Sequence, residues 1–92
     1  MNTHDINQIE ARLRAKQNAK DVPDKYRDAF RTGLDDATTI LKHYAHEPPD
    51  QVVAALRRRL NTNPYLSSNK TEAYHKAIRV AMSLLHELKG KG

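Results

Sequence analysis

Apolar residues recur along this chain at spacings of three and four, the period of an α-helix, in four separate stretches. The first stripe is short: Ile6, Ile9 and Leu13. It predicts a helix from about Ile6 to Lys20, with Asp5 and Gln8 placed as a capping box. Beyond Leu13 this helix is polar, so it is expected to be weakly anchored, covering the core as an arm or extending to a second subunit. The second stripe is Tyr26, Phe30, Leu34, Ala37, Leu41 and Tyr44. It predicts a helix that begins after Asp21, carries Pro23 in its first turn and stops near His46, before Pro48 and Pro49. The third, Val52, Val53, Leu56 and Leu60, predicts a short helix from Pro49 to Asn61. Asn61-Thr62-Asn63-Pro64 breaks it, and Tyr65 and Leu66 are expected to fold back onto the core. The fourth, Tyr74, Ile78, Ala81, Leu85 and Leu88, predicts a helix from about Lys70 with Asn69 as its N-cap and a frayed basic end at Lys89 to Gly92. The fold expected is all-α: a compact four-helix domain spanning residues 1–92, with residues 1–20 as the N-terminal helix and residues 21–92 as a three-helix core.

Helices 2 and 4 read as an internal repeat offset by 44 residues. Asp28-Ala29-Phe30 matches Glu72-Ala73-Tyr74, Gly33-Leu34 matches Ala77-Ile78, and Ala37 matches Ala81. Ile40-Leu41 and Tyr44 match Leu84-Leu85 and Leu88. Gly33, Ala37, Ala77 and Ala81 are small enough to let two helix backbones approach closely. Helices 2 and 4 are thus expected to pack on each other, or on their mates in a dimer. The alternative is chance similarity between two amphipathic helices, since Ala and Leu suit any helix. The polar flanks differ. In helix 2, Asp28, Arg31 and Asp35 are spaced for exposed ion pairs. The matching stripe of helix 4 carries His75, Arg79, Met82 and His86, with Val80 also off the apolar face, a mixture better suited to a contact surface.

Composition changes the picture in two ways. Only 38% of the 92 residues are apolar, with no Trp and one Phe, so the core must be thin. There is no Cys to staple it, which leaves oligomerisation, most simply a homodimer, as the expected supplement. No apolar run approaches the ~20 residues of a membrane span. The first residues lack the apolar run of a signal peptide. The expectation is a soluble, cytoplasmic protein with no membrane partner.

The net charge of +5 is unevenly distributed. Residues 1–50 hold 8 Lys/Arg and 9 Asp/Glu, giving −1, whereas residues 51–92 hold 8 and 2, giving +6. A basic C-terminal half suggests an anionic partner, although a solubilising surface has the same composition. Arg57-Arg58-Arg59 is the densest basic run. On a helix Arg58 points directly away from the apolar stripe and its neighbours flank it. The candidate partner- or anion-binding residues are Arg57, Arg58, His75, Lys76, Arg79 and His86, with Arg58 and Arg79 as the main cationic anchors. Lys70 lies within reach of the same patch.

Other chemistry is poorly supported. His43 and His46 have a spacing that can serve a metal, but no HExxH or partner carboxylate accompanies them, and a His at a helix C-terminus simply meets the dipole. Ser67 and Ser68 fit a loop and capping role, and no nucleophile elbow or phosphate-binding Gly-rich loop exists. Asp35 and Asp36 diverge on a helix. No enzyme, metal or cofactor is expected. Zinc-finger and RNP signatures are absent; a helix-turn-helix is not excluded, with a stretch of about eight residues between helices 3 and 4 that is longer than its usual turn.

Asp28-Ala29-Phe30-Arg31-Thr32-Gly33 and Asn63-Pro64-Tyr65, with the size and charge, resemble the small helical proteins of phages and prophages that regulate or inhibit host defence. The resemblance implies a protein that acts by binding a partner or an anionic ligand, and it carries over no functional residue. The functions it leaves are a non-enzymatic regulator or inhibitor, a nucleic-acid-binding protein using the basic half, and a structural or assembly protein.

Overall fold

The computed structural model describes residues 3–18 and 20–91, with side chains as far as residue 88. Four α-helices follow in order: α1 (Thr3–Ala15), α2 (Arg27–His43), α3 (Pro49–Arg59) and α4 (Ser68–Lys91), with a single 3₁₀ turn, Asp24–Tyr26, ahead of α2. The all-α four-helix reading therefore holds, and no strand occurs among the described residues. The expected frayed end at Lys89 to Gly92 falls on side chains and a terminal residue outside the described set.

The boundaries moved for local reasons. α1 stops at Ala15 instead of Lys20. Once Leu13 is buried, none of residues 14–18 enters the core, and the last bonds tighten to Leu13 O and Arg14 O, three residues back. Val22, 3% exposed, is the next residue to enter the core. Pro23 does not sit in the first turn of α2. Its ψ of 144° is extended, and its carbonyl accepts from Tyr26 N to close the 3₁₀ turn. α2 ends at His43, where Tyr44 turns away, and a run of turns reaches the two prolines. Asn69 is not the cap of α4. Ser67 precedes the helix, and its carbonyl and hydroxyl accept from Thr71 N and Lys70 N. The Asn69 side-chain amide instead donates to the Tyr26 hydroxyl at 3.0 Å.

α2 and α4 form the principal seam. A Cβ placed on Gly33 would lie 2.6 Å from the carbonyl oxygen of Tyr74 and 2.7 Å from Ala77 Cβ. The backbones thus approach more closely than any side chain at that position would permit. The residues that meet there, Gly33 and Ala77, are equivalents in the sequence repeat, and Tyr26 meets Asn69 at nearly the same offset. The two helices therefore advance past one another in the same sense. Phe30, Leu34, Ala37 and Leu41 from α2 and Ala77, Ile78, Ala81 and Leu85 from α4 are at most 2% exposed. α3 closes the core with Val52 and Leu56. α1 rests on both α2 and α4 and buries Ile9 and Leu13, the latter to 1% exposure. A fully buried Leu is worth about 1.5–3 kcal/mol, so α1 is held by packing as well as by Arg12–Glu87 (2.8 Å) and Glu10–Lys42 (3.2 Å).

Candidate functional site

The basic residues singled out from sequence lie at one end of α3 and on both flanks of α4, and they do not form a single patch. Arg58 and Arg59 line an open groove of about 430 Å³ between α3 and the last turns of α2, with Thr39, His43, Tyr44 and Thr62. Arg57 is exposed on the opposite flank of α3. Arg79 and His75 line a second groove, of about 470 Å³, between α4 and the loop that carries Asn63, Tyr65 and Leu66. His75 Nε2 lies 2.7 Å from Thr62 O. A carbonyl can only accept, so Nε2 carries the proton. This bond ties α4 to the end of α3 and forms the ridge between the two grooves. Lys76 is on the other flank of α4, 2.5 Å from Asp21 Oδ2, in a third groove with Asp21 and Glu72. The ammonium holds the Asp21 carboxyl below its usual range. His86 is exposed further along α4 and lines none of these grooves.

Two expectations about contact residues are corrected. Leu66 does not fold onto the core and is fully exposed, whereas Tyr65 does pack, edge to face on Tyr74 with centroids 6.3 Å apart. Thr71, a buried polar residue, donates to Tyr65 O at 3.1 Å and pins the loop so that the next residue projects outward. Val80 and Met82, which looked like exposed contact residues, are partly buried against the core. The ion pairs expected within α2 are also replaced. Arg31 donates to Gln17 O (3.4 Å) and Asn18 Oδ1 (2.9 Å), fastening the linker after α1.

The charge pattern is clearer in three dimensions than along the chain. Arg12, Arg14, Arg27, Lys42 and Lys76 each meet a carboxylate. Among the described residues, Arg57, Arg58, Arg59 and Arg79 form no ion pair. Beneath them, Tyr74 Oη donates to Asp36 Oδ2 at 2.6 Å. Burial, then this hydrogen bond, raises the Tyr74 pKa well above its ordinary value, and Arg59 lies near enough for its charge to oppose the rise. The phenol is thus a structural donor.

Sequence reasoning missed Leu66, the Asp36–Tyr74 bond and the presence of His43 and Tyr44 beside the arginines. The available signal for the last was Tyr44 in a place where the repeat has Leu88. Among the described residues no three His, Cys, Asp or Glu side chains gather to hold a metal ion, and no helix is long and apolar enough to cross a membrane. No family model, no curated protein and no solved structure matches this chain.

Proposed function

We propose that this protein is a non-enzymatic binding module that engages an acidic protein surface through the α3–α4 end, in the manner of a regulator or inhibitor. The observation that carries the reading is the set of exposed arginines without ion-pair partners, Arg57, Arg58 and Arg79, the last of them lining the same groove as the fully exposed Leu66. An exposed apolar residue beside a guanidinium group, with further arginines on the adjoining helix, is the composition of an interface hot spot. Arg58 and Arg79 supply charge that a partner carboxylate can neutralise bidentately. Arg57 extends the contact, His75 holds the ridge in place, and Lys76 and His86 sit at its margin. We place the protein in the cytoplasm, working as a homodimer.

Light scattering on the purified chain at low and high salt, with and without a mixed nucleic-acid pool, tests this. The expected result is a dimer mass unchanged by nucleic acid. In a parallel pull-down, wild type is expected to retain a stoichiometric protein partner that Arg58→Glu and Leu66→Ser both lose. A salt-sensitive shift to a larger complex with nucleic acid would replace the reading, because counterion release from phosphates gives that steep dependence.

A further inference from the structure

The grooves of this molecule differ in one chemical respect. The groove holding Lys76 also holds Asp21 and Glu72, the one between α1 and α2 holds Glu10 and Asp35, and the one beside Leu66 holds Glu72. The α2–α3 groove has two guanidinium groups and no carboxylate. Its threonine hydroxyls are committed as donors, Thr39 to Asp35 O at 3.0 Å and Thr62 to Arg59 O at 2.7 Å. The groups left to donate into the groove are Arg58, Arg59, the His43 ring and the Tyr44 hydroxyl. Its floor is apolar, formed by Ile40 and Ala55, each 8% exposed. The His43 and Tyr44 rings stand edge to face at 5.0 Å on one wall. The carboxyl ends of α2 and α3 each contribute about half a negative charge here, which two full guanidinium charges outweigh.

We infer that this groove binds a small organic phosphate, with the phosphate on Arg58 and Arg59 and a planar body against Tyr44 and Ile40. Two guanidinium forks offer more donors than one carboxylate can use, and a phosphate dianion matches both their number and their charge. A space of about 430 Å³ falls within the ~300–1,000 Å³ of small-ligand sites and suits a nucleoside monophosphate. The inference goes beyond the proposed protein contact, because it uses His43, Tyr44 and Arg59, which that contact does not need.

The test is an amide-resolved NMR titration of the full chain with inorganic phosphate, adenosine and AMP. AMP and phosphate are expected to shift amides of residues 39–44 and 55–62, with AMP binding more tightly than either of its parts. Arg59→Gln should weaken AMP by about ten-fold or more, the loss of one charge-assisted contact. Tyr44→Ala should weaken AMP and leave inorganic phosphate unchanged. Arg79→Glu, which disables the proposed protein contact, should leave AMP binding intact, so the two readings fail separately. Equal small shifts at every basic residue, AMP no tighter than inorganic phosphate, or wild-type affinity in Arg59→Gln would each overturn the inference. The wild-type titration alone decides this should a variant fail to fold.

Discussion

The arginines of α1 and α2 are engaged by the fold, whereas those at the end of α3 and on the outer flank of α4 form no ion pair. Arg12, Arg14, Arg27 and Lys42 each touch a carboxylate, and Arg31 fastens a linker. Arg57, Arg58, Arg59 and Arg79 are exposed with no carboxylate paired to them. Exposed ion pairs add little stability, about 0–1 kcal/mol each, so the difference is less one of strength than of completion. One region has its arginines answered internally. The other carries charge that only something outside the described chain can answer. Exposed arginines with no internal partner are where function is to be sought.

That comparison can be broken most forcefully at Leu13. If α1 belongs to the completed region, Leu13→Ala should lower unfolding stability by about 2–5 kcal/mol, read by denaturant titration. A loss under about 0.5 kcal/mol would make α1 the loose arm its polar second half suggested. Gly33→Ala comes next. A methyl there gains roughly 1 kcal/mol of helix propensity but must displace the Tyr74 carbonyl, and overpacking of this kind costs about 1–3 kcal/mol. A net loss of stability is expected, and a gain would mean that the seam can open freely.

Tyr74→Phe should cost about 1–2 kcal/mol at neutral pH, the value of a hydrogen bond to a charged acceptor discounted for a half-buried Asp36. The alkaline behaviour sharpens this. The folded-state pKa is raised above the unfolded value near 10, so the folded protein keeps a proton that the unfolded chain releases. The contribution is complete below about pH 10 and is lost as pH rises through the folded value. Wild type should therefore lose stability above pH 10 more steeply than Tyr74→Phe. The smallest effect belongs to the unanswered arginines. Arg57→Ala and Arg58→Ala should leave the unfolding midpoint within about 0.5 kcal/mol of wild type or raise it slightly, while partner binding falls. A large destabilisation would show that these side chains are structural after all.

The helices and their buried faces were legible because a 3.6-residue period survives in Phe30, Leu34, Ala37 and Leu41 as plainly as in the solved geometry of any helix. The Gly33–Ala77 approach was legible too, since small residues at matched positions have few other uses. The helix ends were not. Asn69 and Ser67 are both competent caps, and only the Tyr26 hydroxyl, 43 positions away, decides which one is spent elsewhere. The site was half legible. Arg58 and Arg79 declare their charge, but whether Lys76 is free depends on Asp21 arriving from the linker. The exposure of Leu66 depends on Thr71 holding the Tyr65 carbonyl. Such facts live in contacts between distant segments, where periodicity carries no information.

The placement of α1 has a consequence for the order in which the molecule can be made. Its platform is formed jointly by α2 and α4, which are separated in sequence by α3. Closing a span of about 44 residues to bring these together carries an entropic cost of roughly 3 kcal/mol before any contact repays it. During synthesis Ile9 and Leu13 therefore cannot be fully covered until α4 has emerged and met Gly33.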